Sequence, residues 1–149
     1  MNHIIRFCGL DLAQLCGDES PDYWEWVSAP VIKQVKVQDR GRRLDAVSET
    51  TKRVEEVVAL GQTAMLDRHE AGALGGTGRT FDWSIAAEVA GRYDFLLAGG
   101  LTPDNVGRAI ATVGPWGVDV SSGVETGGIK DPEKIRAFAE QVKGANAQE

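Results

Sequence analysis

The chain has 149 residues, with 16 Lys and Arg against 22 Asp and Glu, a formal charge of −6, and 42% apolar and 26% charged residues. That composition excludes a disordered chain, and without a basic stripe it argues against a nucleic-acid partner. The length suits one domain, and no apolar run approaches the ~20 residues of a membrane helix. Two cysteines, Cys8 and Cys16, are too few to staple a small secreted fold, which points to a reducing, cytoplasmic setting. Glycine is over-represented at 18 residues, so the chain calls for tight turns or close backbone approaches.

Asn2–Cys8 reads as the end of a helix closed by Gly9. Five β-rich runs follow, Leu10–Leu15, Val31–Val37, Thr63–Leu66, Phe95–Leu97 and Gly117–Val120. Each precedes a helical pattern. Ser20-Pro21-Asp22 is an N-cap with proline in the first turn. Val47–Leu60 places Val47, Val54, Val57 and Val58 on one face. Asp82–Gly91 spaces Ile85 and Val89 by four. Pro103–Val113 and Pro132–Val142 both carry the i, i+3, i+4, i+7 stripe. Strands alternating with helices predict βα units on a parallel sheet. The total is below the ~200 residues of the smallest closed (βα)8 barrel, which leaves an open five-stranded sheet or a piece of a barrel.

Ligands of such folds gather at the C-terminal ends of the strands. Asp67 ends the third strand and is a candidate acid or base there, or a surface residue that starts a loop. Ala71–Gly78 follows, with four glycines in seven residues. Gly99 and Gly100 end the fourth strand, and the Thr102-Pro103 helix start after them suits a phosphate, or an ordinary turn. Ser121, Ser122 and Gly123 offer further donors after the fifth strand. Asp119 is charged within an otherwise apolar run, so it needs a partner or a ligand. His3 and His69 pair with no metal-ligand spacing, so no metal site is expected. Glu125 reads as solvated loop, with a residue of the mouth as the alternative, and Trp24, Trp26, Trp83 and Trp116 read as packing residues.

In order along the chain, Gly9-Leu10-Asp11, Gln14-Leu15-Cys16-Gly17-Asp18-Glu19-Ser20, Pro30–Lys33, Leu66-Asp67, Gly75–Trp83 (GGTGRTFDW), Leu97–Val106 (LAGGLTPDNV) and Gly117–Glu125 (GVDVSSGVE) resemble phosphoribosylanthranilate isomerases. Lys130–Ile135 closes the likeness, which runs from about Gly9 to Phe138. The resemblance implies a single-domain (βα)8 barrel and a step of tryptophan biosynthesis. In that step N-(5′-phosphoribosyl)anthranilate becomes 1-(o-carboxyphenylamino)-1-deoxyribulose 5-phosphate by an Amadori rearrangement, with no cofactor or metal. It implies Asp67 as general acid. It implies Gly99, Gly100, Ser121, Ser122 and Gly123 as the phosphate site, and Asp119 as a mouth carboxylate near the substrate.

The family's general base, a cysteine in Lys-x-Cys-Gly on strand one, finds no match. Arg6-Phe7-Cys8-Gly9 imitates the motif but sits at a helix end, and Cys16 stands where the family usually has histidine. The expectation is therefore a partial barrel of about five parallel βα units, strands four to eight, over residues 1–149, with 1–8 left from the preceding helix. Its partners would be a phosphorylated small molecule and whatever covers the open strand edges, a second copy included. These 149 residues alone are expected to be inactive. The alternative is a non-catalytic phosphate-binding half-barrel or interaction fragment. Indole-glycerol-phosphate synthase and ribulose-phosphate epimerase would need strand-end Lys and Glu residues or a metal site that the pattern lacks.

Overall fold

A computed structural model describes residues 1–38, 41–68 and 80–146. Helix α1 (Asn2–Cys8) ends on Gly9, whose amide donates to the Ile5 carbonyl. Then come β1 (Ala13–Leu15), α2 (Pro21–Glu25), β2 (Val31–Val37), α3 (Arg43–Ala59), β3 (Thr63–Arg68), α4 (Trp83–Ala90), β4 (Phe95–Leu97), α5 (Val106–Val113) and β5 (Gly117–Val118). A short 3-10 turn at Ser122–Val124, an antiparallel hairpin of β6 (Glu125–Thr126) and β7 (Ile129–Lys130), and α6 (Pro132–Asn146) complete the order. The five strands β1 to β5 form one parallel sheet in chain order. Among the described residues β1 and β5 each pair on one side only. No described helix is long and apolar enough to cross a membrane.

Strands β2 and β4 have the predicted bounds, and the other three differ for reasons of pairing. β1 begins at Ala13, because its neighbour β2 begins at Val31 and Ala13 takes the Pro30 carbonyl. Leu10 and Leu12 are left outside the ladder, 48% and 52% exposed. β3 runs two residues further than predicted, because the long β2 offers Lys36 and Val37 to Asp67 and Arg68. β5 stops at Val118, although the Asp119 amide still reaches the Leu97 carbonyl at 2.9 Å.

Val31, Val35 and Val37 are buried on one face of β2, with Leu66, Phe95 and Leu97 on its neighbours. Helices α3, α4 and α5 pack there through Val54, Val57, Ile85, Val89, Val106 and Ala109. The stripe of α3 runs Ala46, Thr50, Val54, Val57, which turns the predicted member Val58 to its edge, 38% exposed. Trp24 is buried and Trp83 packs on the core, but Trp26 and Trp116 are 79% and 70% exposed and pack little.

The same face holds a buried cation. Lys33 is 7% exposed, pairs with Glu19 at 2.7 Å, donates to the Gly17 carbonyl and lies over the Trp24 ring. A buried charge persists only with such partners. The hydrogen bond from Lys33 holds the Glu19 carboxyl below its ordinary value.

Candidate active site

The alternate face of the sheet carries the polar residues. Strand alternation and the pairings Gln34 with Met65, Lys36 with Asp67, Met65 with Leu96 and Leu96 with Gly117 put Gln34, Asp67 and Asp119 on one face. Asp67 lies at the C-terminal end of β3. Its Oδ1 accepts from the Arg68 amide at 2.7 Å, and its Oδ2 accepts from Gln34 Nε2. Gly99 abuts this carboxylate. A Cβ on Gly99 would lie 2.8 Å from both Asp67 Oδ1 and the Arg68 nitrogen, and its φ of +86° disfavours any side chain.

Asp119 follows β5, one residue past the ladder. Burial pushes its carboxyl above the ordinary value, the Asp67 charge adds to that rise, and the Lys130 ammonium opposes it. The two carboxylates therefore share one electrostatic site. Lys130 on β7 donates to the Ser121 carbonyl at 2.9 Å and to Ser121 Oγ at 3.3 Å, and it pairs with Glu125 at 2.7 Å. Glu125 is thus a paired strand residue, where solvated loop was expected. The turn after β5 packs directly on the turn after β4, because a Cβ on Gly123 would fall 1.8 Å from the Leu101 carbonyl oxygen. Leu101 is itself buried.

The predicted helix start at Thr102-Pro103 is not helical. Asn105 Oδ1 accepts from the Thr102 amide at 2.8 Å, and its Nδ2 donates to the Gly100 carbonyl at 3.0 Å. That side chain folds residues 103–105 into a turn, and α5 starts at Val106. Asn and Asp compete with the helix in this way.

Asp67, Gly99, Gly100, Asp119, Ser121, Ser122 and Gly123 thus all stand at the C-terminal ends of β3, β4 and β5. Cys16 follows β1, exposed, and accepts from Gln14 Nε2 at 3.3 Å. Cys8 ends α1, also exposed. His3 is exposed and stacks on Phe7. His69 and the glycine-rich Ala71–Gly78 lie outside the described residues. Sequence reasoning missed Gln34, Asn105 and Lys130. The motif LAGGLTPDNV contains Asn105, and Lys130 stands in the matched Lys130–Ile135, but neither pattern shows what the side chain holds.

The family model of N-(5′-phosphoribosyl)anthranilate isomerases matches residues 1–141. The N-(5′-phosphoribosyl)anthranilate isomerase of Dehalococcoides mccartyi is 40% identical over 98% of this chain and 66% of its own length. That of Roseiflexus sp. is 46% identical over 95% and 63%. The chain therefore spans just under two thirds of these relatives. The crystal structure of the Thermotoga maritima phosphoribosyl anthranilate isomerase superposes with a TM-score of 0.77, at 33% identity, over 95% of this chain and 66% of that one. A phosphoribosyl anthranilate isomerase in complex with reduced 1-(o-carboxyphenylamino)-1-deoxyribulose 5-phosphate superposes at 0.72, with 30% identity, over 95% and 64%.

Proposed function

The chain belongs to the N-(5′-phosphoribosyl)anthranilate isomerase family, and from that membership we propose that it forms the acid and phosphate-binding side of an Amadori-rearrangement site. The observation that carries the reading is the convergence of Asp67 with the Gly99-Gly100 and Ser121–Gly123 turns at one end of the sheet. In this reading β1 to β5 correspond to strands four to eight of a (βα)8 barrel, and residues 1–149 make up a single incomplete barrel domain. In the same reading α1 corresponds to the helix before strand four. The open edges of β1 and β5 are covered by the remaining units or by a second copy. Two exposed free thiols suit a cytoplasmic setting.

The substrate is a phosphorylated aminoaldose, N-(5′-phosphoribosyl)anthranilate. Its phosphate sits between the two turns. The Asp67 carboxyl gives a proton to the furanose ring oxygen, and the C1′–oxygen bond opens to an iminium. Loss of the C2′ proton to a base gives an enolamine, which tautomerises to the ketone. Asp119 stands beside Asp67 as a hydrogen-bond partner for a substrate hydroxyl. The family's basic cysteine has no counterpart in the sequence given. Relatives match 95–98% of this chain, which lends no support to the expectation that the 149 residues are inactive.

The test is turnover of freshly made phosphoribosylanthranilate, read as loss of anthranilate-type fluorescence and corrected for spontaneous breakdown. Turnover that Asp67→Asn lowers by ~10²–10⁴, the usual worth of a positioned acid, supports the assignment. Turnover unchanged in Asp67→Asn removes Asp67 from the role. Binding of the phosphorylated product without turnover favours the non-catalytic half-barrel.

A further inference from the structure

Asp67 is held by more than its own strand. Its Oδ1 is fixed locally by the next amide, at 2.7 Å. A carboxylate held at one oxygen by its own backbone remains free to swing about its Cβ–Cγ bond. The second oxygen is engaged from the neighbouring strand by Gln34 Nε2. Register explains the reach. Gln34 pairs with Met65, two residues before Asp67 on the same face, so its side chain extends along the sheet to the carboxylate. The absent Cβ of Gly99 leaves the room in which this arrangement fits. Gln34 is also uncharged, so it orients the acid without adding a cation beside it. Its neighbours on this face are Ile32, Met65 and Lys36; Lys36 stands opposite Asp67 in the register but reaches Asp18 at 3.7 Å, and Asp119 is the other charge coupled to Asp67.

Resting on the acid role given above to Asp67, we propose that Gln34 is the positioning residue of the acid site, fixing the plane of the Asp67 carboxyl relative to the substrate. Such an effect is expressed in kcat, because a misoriented acid slows proton transfer while the phosphate turns still bind substrate.

Three variants of the full chain test this. Gln34→Met keeps the length and removes the donor, and kcat is expected to fall about tenfold with KM within about twofold. Gln34→Glu is expected to lose activity at neutral pH, where two carboxylates face each other, and to regain it toward acid pH as the introduced carboxyl gains a proton and donates. A merely structural role would not produce that inverted profile. A Gln34→Met variant with unchanged kcat, or with kcat and KM displaced together alongside a lowered melting temperature, overturns the proposal.

A second readout needs no turnover. The side-chain amide resonances of Gln34 in the full chain should move in Asp67→Asn, which replaces the carboxylate that they face. Resonances that ignore the Asp67 substitution overturn the contact itself. Failure of the isomerase reading shows instead as absent turnover in the parent chain, with that amide response to Asp67→Asn intact.

Discussion

The two faces of the sheet do different work. On the helix side Val31, Val35, Val37, Leu66, Phe95 and Leu97 are at most 4% exposed, in an apolar cluster beside one partnered lysine. On the other side Gln34 in mid-strand and Asp67 and Asp119 at the strand ends stand half-buried, coupled by a hydrogen bond and by like charge. The first face supplies the free energy of folding, roughly proportional to the apolar area it removes from water. The second spends some of it, since partly buried carboxylates side by side are unfavourable. What the contrast teaches is that stability and chemistry divide along a period of two within the same five strands.

Substitutions should respect that division. Phe95→Ala empties a fully buried ring position. It is expected to cost about 3–5 kcal/mol in denaturant unfolding, the largest effect here. A loss under ~1 kcal/mol would mean that the helix face is not the source of stability. Gly123→Ala acts at the seam between the two turns. The added methyl meets the Leu101 backbone oxygen at 1.8 Å, which only a backbone shift can relieve. The expected cost is about 1–3 kcal/mol, with weaker binding of inorganic phosphate in calorimetry. Lost stability without lost phosphate affinity would separate the turn's packing from the ligand role proposed for it.

The helix face was legible because its signal is local. Val31–Val37 could be read to the residue, since alternating apolar positions bounded by Pro30 leave one solution. The strand-end residues were legible for a similar reason: Asp67, Gly99-Gly100 and Ser121–Gly123 directly follow apolar runs and stand in recognisable motifs. Gln34 was not. Its partner is 33 positions away, and only the register of β2 on β3 brings the two together. Lys130 was missed likewise, because the β6–β7 hairpin is needed to fold it back on Ser121. The error at Pro103 has another cause. A Thr-Pro pair does favour a helix start, but Asn105 competes for the same backbone groups and wins.

The smallest effect has the opposite sign and tests the polar face most directly. Burial, and after it the Asp67 charge, hold the Asp119 carboxyl above its ordinary value of 3.8, with Lys130 opposing. A carboxyl with a raised folded pKa keeps its proton longer in the folded chain than in the unfolded one. Between the two values the folded state binds more protons, so stability falls as pH rises through that window and stays lowered above it. Asp119→Asn removes the penalty. The variant should melt slightly above the parent at pH 7, by a few degrees at most, and the gap should close as the pH drops below the unfolded value. A gap that stays constant with pH would place the effect in packing. A variant that melts below the parent at pH 7 would mean that Lys130 outweighs both burial and Asp67, and that the carboxylate helps to hold the loop it was expected to strain.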